Sequence, residues 1–334
     1  MSEFIRILGN VRMQKLDLPK NLNLKLKKYK DLRYGENPHQ KSAYYLQDEE
    51  PGYKQLSGIA LSHNNLGDAN HAWRLVLEFW EPTVAIIKHG NPTGIASRKN
   101  LAQAYKLAYG ADTISPFGGI IAVNRPPTLD MVSAMRGVFY ELIVAPDFDK
   151  KVLEALSKKS QKLRVVKAKK PPRQLEFTRV FNGYLVQTPD DMVEFESQPK
   201  AGPPLAGKWK MMTGSRPTQK QFDDLEFAWK VVKHVRSNAI VVVRDKIMIG
   251  MGTGQPNRVN SVKLALTQAK DRARGAVLAS DAFFPFADNV ELAAKAGISV
   301  IIQPGGSIHD KDVIAAAKKH KMTMVFTGVR HFKH

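Results

Sequence analysis

The sequence predicts an α/β protein made of two related halves, and three observations carry that reading. Helix-period apolar stretches alternate with short β-branched runs along most of the chain, the pattern of sheets covered by helices. The motif "AWRLV" (72–76), leading into "AII" at 85, returns as "AWKVV" (228–232), leading into "AIVVV" at 239. Between them, "SQPKAGPPLAGKWKMMTGSRPT" (197–218) is rich in Pro and Gly and reads as a loop or boundary. A further echo, "SPFGG" (115–119) with "FPFAD" (284–288), points the same way.

Taken in order, "GDANHAWRLVLEFWE" (67–81) has the apolar spacing of a helix, and "TVAIIKH" follows as a strand. "LAQAYKLAYGAD" is the next helix and "GGIIAVN" (118–124) the next strand. "VLEAL", flanked by lysines, reads as a helix with a wet basic face. "FDDLEFAWKVVKHVRS" is a helix whose early aspartates suit the positive end of its dipole. "NAIVVVRDKIMIGMG" reads as two strands joined at "RDK", a hairpin. The helices "ELAAKAG" and "KDVIAAAKKHK" then alternate with the strands "ISVIIQ" and "MTMVFTG". The resulting division is an N-terminal arm (1–27), a first half (28–196), a linker region (197–218) and a second half (219–334).

A length of 334 residues suits about two domains, and 43% hydrophobic with 25% charged residues marks a globular chain. Cysteine is absent, which removes disulfides, zinc thiolate sites and cysteine nucleophiles. The first twenty residues hold no apolar run of signal-peptide length, and nowhere do 18 apolar residues follow one another. The cytoplasm is therefore the expected compartment, with no membrane partner. The net charge of +20 suits an anionic partner. Much of it is local, however: "KKVLEALSKKSQKLRVVKAKKPPR" (150–173) reads as a solvated basic face, and no nucleic-acid recognition motif accompanies it.

Five stretches carry residues suited to chemistry. In "KHGNPTGIA" (88–96), Lys88 and His89 end a buried run, with Pro92 and Gly94 read as the turn that follows. Neighbours on a strand face opposite ways, so the pair can serve one ligand only where the strand stops. Ligands of open α/β sheets bind at the carboxyl ends of strands. A nearby ammonium keeps an imidazole neutral and able to accept a proton, while Lys88 suits an oxyanion or a phosphate. The same pair would also suit a solvent-exposed strand end. "DLRYGENPHQ" (31–40) places the Arg33 fork and the Tyr34 ring in a tight turn ahead of His39, which suits a phosphate, although such a turn is more often purely structural. "SNAIVVVRDKIMIGMGTGQPNR" (237–258) has glycines at 250, 252 and 254 that would let backbone approach a ligand, though it is neither a Walker A loop nor a Rossmann fingerprint. "ASDAFFPFADN" (279–289) surrounds a proline with phenylalanines and carboxylates, either core or a grip on a flat heterocycle. "FTGVRHFKH" (326–334) reads as a docked tail.

Together these stretches resemble the transformylase domain of the bifunctional AICAR transformylase/IMP cyclohydrolase family, where AICAR is 5-aminoimidazole-4-carboxamide ribonucleotide. "LRYGENPHQ", "NNLGDANHAW", "KHGNPTG", "SPFGGIIAVN", "FAWKVVKHVRSNAIV", "GTGQPNR", "SDAFFPFADN", "QPGGSIHD" and "VFTGVRHFKH" stand in family order from about residue 28 onward. Ala287 departs from the pattern, since an arginine is common there. The resemblance implies cytidine-deaminase-like α/β halves, and formyl transfer from 10-formyltetrahydrofolate to the 5-amino group of AICAR in purine synthesis. It implies a catalytic group of Lys88, His89, Asn238 and Arg258. It implies nucleotide contacts from Arg33, Tyr34, Asn65, Phe283, Arg330 and Phe332, and folate contacts from Ile114, Gly118, Val259, Phe286, Asp288 and Asn289. It also implies a homodimer with active sites between subunits, no divalent metal, and a structural potassium ion for which no local pattern stands here.

Nothing in the sequence corresponds to the family's cyclohydrolase domain, so ring closure is expected to fall to a separate IMP cyclohydrolase. The rival reading is a catalytically inactive nucleotide- or RNA-binding protein on the same fold, motivated by the basic run. A different formyl donor is a third.

Overall fold

The computed structural model describes residues 16–47, 50–191 and 209–334. Residues 1–15 of the N-terminal arm and 192–208, which hold most of the linker region, lie outside the described residues. The elements of the first half are β1 (Lys27–Asp31), β2 (Ala43–Leu46), β3 (Tyr53–Ser57), α1 (His63–Val76), β4 (Thr83–Lys88), β5 (Asn91–Ser97), α2 (Leu101–Ala111), β6 (Gly119–Val123), α3 (Leu129–Ala134), β7 (Tyr140–Ala145), α4 (Lys150–Lys159) and β8 (Arg164–Ala168). A separate hairpin follows, β9 (Glu176–Val180) with β10 (Gly183–Gln187). The second half contains β11 (Lys210–Thr213), α5 (Gln219–Val232), β12 (Ile240–Arg244), β13 (Ile247–Gly252), α6 (Arg258–Ala269), β14 (Val277–Ser280), α7 (Asp288–Lys295), β15 (Val300–Gln303), α8 (Asp310–Lys319) and β16 (Thr323–Phe326).

Twelve strands form one sheet in the order β11-β16-β15-β14-β12-β13-β5-β4-β6-β7-β8-β3. Read outward from the β13–β5 junction, each side gives a hairpin, three parallel strands and an antiparallel edge. The α/β expectation holds, and the two halves repeat one topology. The same interval separates Ser62 from Thr218, Asn65 from Gln221, Asp68 from Asp224, Trp73 from Trp229 and Gly94 from Gly250. The first two pairs form matching capping boxes on α1 and α5. The junction itself is short: Ile247 pairs Ala96, and the Ser97 amide donates to Lys246 O at 3.1 Å.

Both faces of the central strands are covered. Ala85 and Ile87 of β4 join α1 and α5 in a core shared by the two halves, while Val84 and Ile86 pack under α2 to α4. In the second half Val241 and Val243 enter the shared core, and Ile240 and Val242 pack under α6 to α8. This two-sided burial explains why these strands read as unbroken apolar runs.

Several expectations need correction. The helix expected over 67–81 begins earlier, because Ser62 caps it, and ends at Val76. The helix expected from Phe222 likewise begins at Gln219, capped by Thr218. Pro92 and Gly94 form no turn: they lie inside β5, with Pro92 beside a bulge where a missing N–H is tolerated. "SPFGG" precedes β6 whereas "FPFAD" follows β14, so that echo is not part of the repeat. Gly250 and Gly252 face helix backbone and not a ligand: a Cβ there would meet Ala265 O at 2.1 Å and Ser261 O at 2.0 Å. Gly94 plays the same part under α2, where a Cβ would lie 1.9 Å from Ala108 O. The basic run is a solvated face only in part, for Lys150, Lys151, Lys158, Lys162, Lys169 and Lys170 are exposed while Arg164 is buried. Lys167 and Lys169 pair with Asp147 and Glu50, Arg173 with Asp191, and Lys159 donates to Met135 O and Val138 O.

Gly94→Ala and Gly250→Ala should each force a helix off the sheet and lower the unfolding free energy by about 3 kcal/mol. Gly254, whose Cβ position is open at φ 63°, is the control, with a loss of about 1 kcal/mol from its left-handed backbone. Urea unfolding of the three variants decides the matter, and equal losses would mean that helix approach is not the reason for these glycines.

Candidate active site

The β4–β5 hairpin closes through two residues, His89 (φ 52°) and Gly90 (φ 71°), both left-handed. This class of turn matches the twist of the strands it joins. The expectation that strand and backbone turn together at Lys88–His89 is met, with His89 and Gly90 supplying the turn. Asp68 of α1 accepts the Gly90 amide at 2.8 Å, and the His89 amide also bonds to that carboxylate. His89 is exposed. Lys88 Nζ donates to Phe117 O at 2.7 Å, so the lysine is tied to the loop that carries Ile114 and Gly118. Ile114 is 87% exposed, and its amide bonds to Asp112. Gly118 (φ 74°) donates to Phe139 O.

A second group sits on the other half. Arg258, at the start of α6, is buried and donates to Ser280 Oγ at 2.9 Å, to Asn238 Oδ1 at 2.6 Å and to the fully buried carboxylate of Asp281. Asn238 is held from three sides, for its Nδ2 donates to Gln255 O at 2.7 Å and its carbonyl accepts from Ser261 Oγ at 2.8 Å. Arg258 therefore orients Asn238 as well as lining the space beside it. That space is a cavity of about 420 Å³ lined by Asn238, Arg258, Val259, Phe283 and Phe286, with Asp288, Asn289, Arg330 and Phe332 on its remaining walls. Phe283 and Phe286 are 37% and 56% exposed, so both rings offer open faces to the cavity. Asn289 is buried, and its amide oxygen has no protein partner.

A third group surrounds Asn65. Its Oδ1 accepts the Ser62 amide as part of the cap, and its Nδ2 donates to Glu141 at 2.7 Å, leaving one N–H for a ligand. Glu141 pairs with the buried Arg164, and Arg33 and Tyr34 lie close enough to act on Arg164 electrostatically. Arg33 also stands over the Tyr34 ring at 5.5 Å.

All three groups lie along one edge of the sheet, because the carboxyl ends of β4, β13, β14 and β16 and the amino ends of β6 and β12 meet there. The hairpin tip touches the second group through Thr253 Oγ1, which donates to Asn91 Oδ1 at 2.9 Å. Sequence reasoning did not name the supports Asp68 and Glu141, and it read Asp281 as a carboxylate flanking the phenylalanines and not as the partner of Arg258. The repeat of Asp68 as Asp224 was a signal for the first. A larger depression, about 740 Å³, lies at the opposite edge around Asp245 and Lys246. Its charges are spent on one another, with Lys220 on Asp245 at 2.5 Å and Lys246 on Glu81 at 2.6 Å.

The segment after β16 alternates like a strand. Arg330 and Phe332 face the cavity, and the Arg330 guanidinium stacks 4.2 Å from the Phe332 ring. His331 turns inward onto Trp229 and Asp190, and Lys333 onto His71 and the His234 carbonyl. The docked tail inferred from the sequence is what the structure contains.

The family described as the AICARFT/IMPCHase bienzyme matches residues 4–268. The chain belongs to the AICARFT/IMPCHase family. The bifunctional purine biosynthesis protein PurH of Caldicellulosiruptor saccharolyticus is 44% identical over 326 residues, covering 95% of this chain and 61% of that protein. PurH of Bacillus cytotoxicus is 46% identical over 323 residues, with the same coverage. The chain thus spans 61% of the length of these AICARFT/IMPCHase relatives.

Beneath the tail, Glu78 accepts from Lys233 at 2.7 Å and His234 at 3.0 Å. Burial works to raise the Glu78 carboxyl, but the His234 hydrogen bond and the neighbouring positive charge outweigh it and hold it at about 2, against 4.5 ordinarily. Burial also drives the His234 imidazole down, against the pull of its bond to Glu78. The unfolded chain therefore binds a proton at Glu78 more readily than the folded one. The stability this group contributes is present above pH 4.5 and is lost as pH falls through about 2. Glu78→Gln should remove on the order of 2 kcal/mol of that acid dependence in urea titrations between pH 6 and 2. An unaltered pH profile would contradict the assignment.

Proposed function

We propose that this protein is an AICAR formyltransferase, moving the formyl group of 10-formyltetrahydrofolate onto the 5-amino group of AICAR during purine synthesis. The observation that carries the reading is the gathering of His89, Lys88, Asn238 and an aromatic-lined cavity along one sheet edge. Family membership supports it. The amine of AICAR is conjugated into an electron-poor ring, so its attack needs orientation, a base and a charge stabiliser. His89 takes the amine proton as the new carbon–nitrogen bond forms. Lys88, with two N–H donors left beyond its bond to Phe117 O, stabilises the oxyanion of the tetrahedral intermediate. The bond from the formyl carbon to N10 then breaks, and the proton passes to the departing tetrahydrofolate. Asn238, oriented by Arg258, addresses the carboxamide. Arg33, Tyr34, Asn65 and Arg330 hold the nucleotide, Phe283 and Phe332 pack on its base, and Phe286, Asp288, Asn289, Val259, Ile114 and Gly118 form the folate side.

Every residue lining the cavity belongs to the second half, while Lys88 and His89 belong to the first. We read the protein as a cytoplasmic homodimer with its active sites at the subunit interface. Residues 28–196 and 219–334 are the two halves of this unit, joined through 197–218.

Purified protein should convert AICAR and 10-formyltetrahydrofolate into formylated nucleotide and tetrahydrofolate, followed by absorbance and mass. His89→Ala should lower kcat by about 10²- to 10⁴-fold with little change in KM for AICAR. Mixing inactive His89→Ala and Asn238→Ala chains should restore part of the activity through heterodimers. An unchanged His89→Ala rate would remove His89 from the mechanism. No rescue on mixing would place each site within one chain.

A further inference from the structure

The duplicated fold contains its own control for the reactive hairpin. Both halves have a hairpin closed by two left-handed residues, His89–Gly90 in one and Asp245–Lys246 (φ 55° and 52°) in the other. In each, a carboxylate from the corresponding position of the preceding long helix reaches the tip. Asp68 accepts the Gly90 amide at 2.8 Å and also bonds the His89 amide. Asp224 accepts the Asp245 amide at 2.9 Å and the Lys246 amide at 2.6 Å. The turn leaves two backbone N–H groups without ladder partners, and one carboxylate satisfies both with charge-assisted bonds.

The clamp is thus a property of the fold, present where no chemistry is expected. At the second tip the side chains are bound up in ion pairs with Lys220 and Glu81. At the first tip the same device lies under an exposed imidazole, and the charged groups acting on it are His89 and, more weakly, Glu141.

We propose that Asp68 is the positioning residue for His89: by binding the tip amides it fixes the His89–Gly90 backbone in the left-handed turn that sets where the imidazole stands at the sheet edge. That His89 is the base being positioned rests on the proposed formyl transfer, and the clamp on the turn stands without it. Asp68 touches no reacting atom itself. Asparagine at 68 keeps an oxygen for the amides and loses the charge, whereas alanine loses both.

The experiment uses the full chain with Asp68→Asn, Asp68→Ala, Asp68→Glu and Asp224→Asn. Asp68→Ala should lower kcat about 10- to 100-fold with KM for AICAR changed less than about twofold, the pattern of a misplaced base. Asp68→Asn, which keeps an oxygen for the amides, should lose less. Asp68→Glu should recover part of the loss. Asp224→Asn should lower the melting temperature as Asp68→Asn does while leaving kcat and its pH profile unchanged. The His89 and Gly90 backbone amides, followed by NMR hydrogen exchange without substrate, should lose protection in Asp68→Ala and keep part of it in Asp68→Asn. That readout tests the clamp even if the parent shows no formyl transfer, an outcome that would instead count against the function itself. Unchanged amide protection in Asp68→Ala overturns the positioning role. Equal kcat losses in Asp68→Ala and Asp224→Asn would reduce the clamp at Asp68 to ordinary structural support.

Discussion

A strand buried on both faces has no side chain to offer a ligand, and that constraint decides where chemistry can sit in this protein. β4 and β12 are closed in by helices above and below, and their residues alternate between two apolar cores. Function is therefore displaced to the ends of strands, where backbone leaves the ladder. Lys88 is the last residue of β4 and His89 follows it, while Asn238 lies ahead of β12, Phe283 beyond β14 and Arg330 beyond β16. They share an edge because the strands that bear them alternate in direction across the middle of the sheet.

The burial that excludes side chains also limits how the backbone can be packed. Helices α2 and α6 rest on β5 and β13 closely enough that Gly94 and Gly250 are the contact points. The two hairpins are consequently rigid platforms, and each tip is clamped by a carboxylate. Polar supports repeat the theme at the second group, where Arg258 is buried against Asp281 and also donates to Ser280 and Asn238. A buried cation held by its counter-ion in this way fixes the side chain that accepts from it.

Much of the fold was legible because two-sided burial writes itself as apolar runs, and amphipathic helices write themselves as apolar spacing. β5 was not, since Pro92 and Gly94 carry the chemistry of a turn while sitting in a ladder. The bulge beside Pro92 and the helix over Gly94 are tertiary facts that no local pattern encodes. Gly250 and Gly252 misled in the same way: a glycine that admits backbone does not say whose backbone. The residues that line the cavity and the hairpin tip were recognisable through motifs that stand in family order. Asp68 was not, because a carboxylate inside an amphipathic helix looks like any solvated acid until the hairpin is folded over it.

The duplication separates what the fold requires from what the site requires. The capping boxes, the tryptophans of α1 and α5, the glycines under α2 and α6 and the carboxylates at the tips occur in both halves. These are conditions for building the sheet. His89–Gly90 against Asp245–Lys246 is a difference between the halves, and at the second tip the ion pairs to Lys220 and Glu81 hold the side chains. The tail adds a further asymmetry, for His331 and Lys333 anchor it inward while Arg330 and Phe332 wall the cavity. Because neighbouring residues of an extended segment face opposite ways, the inward contacts set the register of the outward ones. The cavity's geometry is thereby tied to the packing around Trp229, the tryptophan that marks the repeat.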